Sequence, residues 1–138
     1  LRLSPGEPLD VVGVVKRVTA DTTYVAVDGG MSDNPRPQLY DAAYSGLLAN
    51  RADEPAAGTY VVCGKHCESG DVMIRDLALP APRRGDLLAV PATGGYTLSM
   101  ASNYNVVPRP AAVLVSNGEA RVIRRRETLD DLLALEAP

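Results

Sequence analysis

No apolar run in these 138 residues approaches the roughly 20 that a membrane-spanning helix needs, so a membrane partner is not expected. Leu1 to Asp10 holds charges, two prolines and a glycine, which is not the pattern of a secretion signal. The formal net charge of −3 is too small, and of the wrong sign, for a nucleic-acid binder. The basic runs Arg83-Arg84 and Arg124-Arg125-Arg126 read as solvated surface. Two cysteines, Cys63 and Cys67, are too few for a disulfide framework. On one regular strand they would stand about 13 Å apart, beyond bridging distance. Reduced thiols in a cytoplasmic protein are the simpler expectation. His66 is the only histidine and there is no second Cys/His cluster, so no metal site is expected. No repeat, linker or low-complexity segment divides the chain, which reads as a single β-rich domain over residues 1–138.

What is present has the composition of an ordinary globular domain. Hydrophobic residues make up 46% and charged residues 22%, and the length suffices for a real core. Short β-like runs broken by turn residues dominate. Val11 to Val18 is rich in valine, and Thr23 to Val27 reads as a half-buried strand ended by Asp28-Gly29-Gly30. Further strands are expected at Thr59 to Cys63, Asp71 to Leu79 and Leu87 to Val90. Ala111 to Val115 and Ala120 to Ile123 flank Asn117-Gly118, the pair that supplies both positive-φ residues of a type I′ hairpin turn. Thr128 to Asp131 matches a capping-box-like helix start, with a leucine stripe running through Leu135. A second short helix is expected between Pro37 and Ala49. The fold class is therefore mainly β, a Greek-key-like barrel or sandwich with one or two short helices.

Three clusters could carry chemistry. Gly64 to Asp71 contains His66-Cys67-Glu68 and falls between two expected strands, hence on a loop. A thiol beside a carboxylate can donate a proton and hold a cation. Taken alone, Cys67 reads better as a small buried filler and Glu68 as a solvent-facing charge. A Cys-His nucleophilic pair is weak, because adjacent residues of an extended segment point to opposite faces. Asp28 to Tyr40 surrounds Arg36 with paired glycines and two prolines, a setting that suits bidentate carboxylate binding. An ordinary turn with a surface arginine is the competing reading. In Thr93 to Asn105, Gly94-Gly95 permits close backbone approach to a ligand, and Tyr96 could stack or hydrogen-bond there.

In order and spacing these clusters resemble the diaminopimelate decarboxylase family. The matching stretches are Val27-Asp28-Gly29-Gly30-Met31-Ser32-Asp33-Asn34-Pro35-Arg36-Pro37, then Cys67-Glu68-Ser69-Gly70-Asp71, then Gly95-Tyr96 through Ser102-Asn103-Tyr104-Asn105. The resemblance extends over most of the chain from about Val14. It implies the β-rich C-terminal domain of a pyridoxal-phosphate enzyme with an alanine-racemase-like fold. The TIM-type barrel, the phosphate site and the Schiff-base lysine of the family are absent from this chain. Neither Lys16 nor Lys65 stands in that lysine's context.

The resemblance further implies residue roles. Arg36 and Tyr40 look like the pair that binds the substrate carboxylate. Cys67 looks like the acid that returns a proton after carbon dioxide departs, and a thiol of pKa ~8.5 suits that task. Glu68 looks like the group that recognises the distal amino-acid end, and Tyr96 like the aromatic facing cofactor and substrate. Cys67 and Glu68 are expected to reach into the barrel site of the partner subunit of a homodimer. Related ornithine decarboxylases place Asp after the cysteine, so Glu68 favours diaminopimelate. The implied reaction converts meso-diaminopimelate to L-lysine and carbon dioxide. Two alternatives stand beside it: a non-catalytic β-domain binding module, and the same domain of a decarboxylase for another basic amino acid.

Overall fold

Valine-rich alternation builds the centre of the molecule. The computed structural model describes residues 9–16, as backbone, and 22–136. Its strands are β1 (Leu9–Lys16), β2 (Thr23–Val27), β3 (Leu47–Leu48), β4 (Gly58–Cys63), β5 (Val72–Leu79), β6 (Leu87–Ala89), β7 (Ala112–Ser116) and β8 (Glu119–Arg124). Three short helices join them: α1 (Arg36–Tyr40), α2 (Thr97–Met100) and α3 (Leu129–Leu133). Single 3-10 turns lie at Ala49–Arg51 and Tyr104–Val106. The mainly β expectation holds. The described strands form a six-stranded sheet, in the order β3-β6-β1-β2-β4-β5, and a separate β7-β8 hairpin.

In β2 the alternate residues Val25 and Val27 are fully buried, as the period-two pattern of a half-buried strand requires. They pack with Leu48, Val62, Met73, Ile74, Leu77, Leu79 and Leu88 into the core, which Tyr44, Tyr60 and Val90 border. β2 pairs with β4 in parallel, whereas the other described pairs are antiparallel. A parallel pair needs a long crossover. Here that crossover runs from Asp28 to Ala57 and carries α1, which packs against β5 through the Gln38 side-chain amide, donating to the Val72 carbonyl at 3.0 Å.

The short helix expected between Pro37 and Ala49 is found at the start of that range, as α1. Only Arg36–Tyr40 is helical; Asp41 then adopts a left-handed conformation at φ 50° and donates its amide to the Arg36 carbonyl, which closes the helix. Beyond Tyr40 the apolar spacing does not mark a helical face: Leu48 joins the core and Tyr44 packs against it, whereas Leu39, Tyr40 and Leu47 are exposed. A helix this short without a buried stripe has nothing to extend it. Residues 47–48 instead pair as an edge strand with β6. The Val11 to Val18 strand is found as β1, with 17 and 18 outside the described residues.

The local turn chemistry behaves as read. Asn117 and Gly118 take φ 52° and 79°, giving the β7-β8 turn. Thr128 and Asp131 form a reciprocal capping box at the start of α3, which ends at Leu133.

Candidate active site

β4 and β5 are adjacent antiparallel strands, and their connection from Gly64 to Asp71 is the loop that bears Cys67 and Glu68. Asp71 fixes that loop from within. Its side chain is buried; Oδ2 accepts the His66 amide at 2.8 Å and Oδ1 accepts the Met31 amide at 2.7 Å. The Gly64 amide donates to the Asp71 carbonyl, and the Lys65 amide donates to the Gly29 carbonyl. Gly30 and Gly64 meet beside this carboxylate. A Cβ on Gly64 would lie 2.5 Å from the Gly30 Cα, and one on Gly30 would lie 2.9 Å from Asp71 Oδ2. Both glycines are required by space.

On this pinned backbone the side chains divide. His66 is buried and its Nε2 lies 2.8 Å from Ser32 Oγ. Cys67 and Glu68 are exposed. The reading of Cys67 as buried filler is therefore wrong: the half-buried thiol is Cys63, at the end of β4. Burial pushes the Cys63 thiol up, and nearby Asp71 adds to the shift. Both cysteines are free.

Arg36 opens α1, following an irregular turn in which the Asp33 and Asn34 amides both donate to the Gly30 carbonyl. Its guanidinium carbon lies 5.0 Å from the centre of the Tyr96 ring, a cation–π contact. Arg36 Nε is buried with no hydrogen-bond partner among the described residues. A buried, unanswered arginine donor is costly unless an acceptor arrives. The same arginine borders a cleft lined by Tyr44, Ser45, Pro91 and Ala92. Tyr40, one helical turn on, is exposed, as is Tyr96.

Arg36 and Tyr96 are thus brought together, with Tyr40 on the same helix as Arg36. Cys67 and Glu68 form a second group, and no hydrogen bond or ion pair among the described residues links it to the first. The second group has a member that the sequence reading did not single out. The Tyr104 hydroxyl donates to Glu68 Oε1, and the Tyr104 ring lies 5.4 Å from that of His66. The Glu68 hydrogen bond is also what raises the Tyr104 phenol, with burial adding to it. Tyr104 lay within a matching stretch, but nothing in the sequence says which side chain a residue 36 positions away will meet.

Lys65 is committed elsewhere: its ammonium lies 3.5 Å from the buried Asp33 carboxylate. Among the described residues the two groups thus offer an unanswered arginine, an exposed aromatic ring, an exposed thiol and an exposed carboxylate.

A family model described as pyridoxal-dependent decarboxylase, C-terminal sheet domain, matches residues 9–94. A diaminopimelate decarboxylase of Synechocystis is 56% identical over 88% of this chain and 26% of its own length. That of Bacillus subtilis is 52% identical over 96% of this chain and 30% of its own length. The crystal structure of diaminopimelate decarboxylase from Helicobacter pylori, complexed with L-lysine, aligns with a TM-score of 0.81 at 34% identity. That alignment covers 93% of this chain and 30% of the other. The chain thus spans between a quarter and a third of the length of these relatives.

Proposed function

Because the chain belongs to the family of pyridoxal-dependent decarboxylase C-terminal sheet domains, we propose that it completes the active site of a diaminopimelate decarboxylase. The reaction is the conversion of meso-diaminopimelate to L-lysine and carbon dioxide. The observation that carries this reading is the Gly64 to Asp71 loop, which holds Cys67 and Glu68 outward on a backbone locked by a buried carboxylate.

Pyridoxal phosphate, when bound, supplies the electron sink that lets the carboxylate leave. This chain's residues fit one side of it: the Tyr96 ring, exposed and braced by Arg36, offers a flat face to a planar cofactor. The other contributions concern the substrate. Arg36 presents its unpaired Nε–H to a substrate carboxylate, and Tyr40, on the same helix, adds a hydroxyl. Cys67 Sγ delivers a proton to the carbon that carbon dioxide has left; a thiol is well matched to that transfer near neutral pH. Glu68 holds the distal ammonium of a substrate charged at both ends.

Arg36 and Tyr96 form one group and Cys67 and Glu68 another, without a polar contact between them. This supports a dimer in which the second group reaches the partner subunit's site. Two unpaired thiols suit a reducing compartment, the cytoplasm. The test is substrate choice by the full-length enzyme. Carbon dioxide release from meso-diaminopimelate, far exceeding that from ornithine or lysine, is the expected result; equal or greater release from ornithine would overturn the assignment.

A further inference from the structure

Glu68 is exposed, and an exposed glutamate samples several rotamers unless something holds it. The holder is Tyr104. Tyr104 donates its hydroxyl proton to Glu68 Oε1, which leaves Oε2 as the oxygen available to a ligand. A phenol bonded to a carboxylate is a charge-assisted pair, stronger than a neutral one.

Tyr104 and the two residues before it are held in turn. Its ring lies 5.4 Å from the His66 ring, tilted by 58°, and His66 is buried against Ser32. The preceding Ser102 amide donates to the Ser32 carbonyl at 2.9 Å, which ties this segment to the same turn that Asp71 grips. Between them, the Asn103 side-chain amide donates to the Val107 carbonyl at 3.1 Å and to Glu127 Oε2 at 2.7 Å. The backbone here is also under strain. Asn105 and Val106 both lie in the left-handed region, at φ 56° and 58°. A β-branched residue such as valine is an outlier there, and such conformations persist only where surrounding contacts impose them. The hydrogen bonds of Ser102 and Asn103 fix the backbone on the near side of this turn, just before Tyr104.

We propose that Tyr104 is a positioning residue for Glu68: it anchors one carboxylate oxygen so that the other is aimed at the distal ammonium of the substrate. The inference rests on the role of Glu68 proposed above. Tyr104 makes no direct substrate contact in this account; it sets the rotamer through which Glu68 discriminates substrates.

The experiment is a double-mutant cycle in the full-length enzyme with Tyr104→Phe, Glu68→Gln and the pair, following KM, kcat and the thermal midpoint. Phenylalanine keeps the ring against His66 and removes only the donor. Tyr104→Phe is expected to raise KM for meso-diaminopimelate about tenfold, the size of one hydrogen bond to a charged group. The kcat value should stay within about twofold and the thermal midpoint should not move. In the Glu68→Gln background the same change should add almost nothing. If Glu68→Gln impairs the enzyme while Tyr104→Phe leaves KM unchanged, positioning is refuted and the role of Glu68 stands. Additive losses with a lowered thermal midpoint would make Tyr104 merely structural and also refute it. A silent Glu68→Gln would remove both the role of Glu68 and the inference built on it.

Discussion

The Asp71 carboxylate accepts the Met31 amide at 2.7 Å across 40 positions of sequence. This bond joins the loop that bears Cys67 and Glu68 to the turn that leads to Arg36, because the same carboxylate also accepts the His66 amide. Asp71→Ala leaves both amides without their acceptor, one of them in a buried hydrogen bond. The expected cost is roughly 2–4 kcal/mol, the penalty for stranding such groups. Urea denaturation of the wild-type and variant proteins measures it; an unchanged midpoint at equal slope would show that the carboxylate is dispensable. Gly64→Ala should be similarly harmful, since its Cβ has no room against Gly30.

Cys67 is exposed, whereas Cys63 is half-buried and its thiol is pushed up by burial and by Asp71. The thiolate is the reactive form. Limited iodoacetamide treatment near pH 8, followed by peptide mass spectrometry, should therefore modify Cys67 well before Cys63. Equal rates, or faster modification of Cys63, would contradict the placement of the two thiols.

Much of this arrangement was legible in the sequence, and the parts that were not share a physical cause. Thr23–Val27 and the Asn117-Gly118 hairpin followed from local pattern and turn chemistry, which act over a few residues. The family was legible because three motifs kept their order and spacing, and the family model covers residues 9–94. The short helix expected between Pro37 and Ala49 is confined to Arg36–Tyr40, because apolar spacing does not say whether a face is buried, and Leu39 and Leu47 are exposed. Cys67 taken alone read as buried filler for a related reason: its exposure follows from how Asp71 holds the loop, a contact set by tertiary structure. Tyr104 and Ser32 were missed because their partners, Glu68 and His66, lie 36 and 34 positions away.

Glu127 gives a pH signature. Burial alone would raise its carboxyl, but the Arg109 amide, the Asn103 side chain and the Arg109 guanidinium outweigh burial and lower it to about 2. A carboxyl lowered by folding adds stability that is present above its ordinary value of 4.5 and lost as pH falls toward 2. Stability measured by denaturant between pH 5 and pH 2 should fall with acid in the wild type. In Glu127→Gln that fall should be shallower, on top of a lower starting stability. Parallel curves for the two proteins would show that Glu127 does not drive the acid sensitivity.

Arg36 offers a planar fork that lysine cannot reproduce, and it also stacks on Tyr96. In the full-length enzyme, Arg36→Lys should lower kcat/KM for meso-diaminopimelate by about 10²-fold, from lost bidentate contact with a carboxylate. Steady-state kinetics check this, and a change below about threefold would place the substrate carboxylate elsewhere.

In the proposed function Cys67 serves as proton donor in a site completed across a dimer. Alone, Cys67→Ala in the full-length enzyme should lower kcat by about 10²-fold or more, the usual contribution of a positioned acid. The most direct measurement mixes that variant with a second one, inactive because it lacks the cofactor lysine of the family's barrel, and follows decarboxylation after the subunits exchange. The lysine variant is inactive by itself and the Cys67→Ala variant strongly impaired, but a mixed dimer contains one site with both an intact lysine and an intact Cys67. Recovery of activity on mixing is the predicted result. Mixed dimers that form and remain inactive would contradict the account.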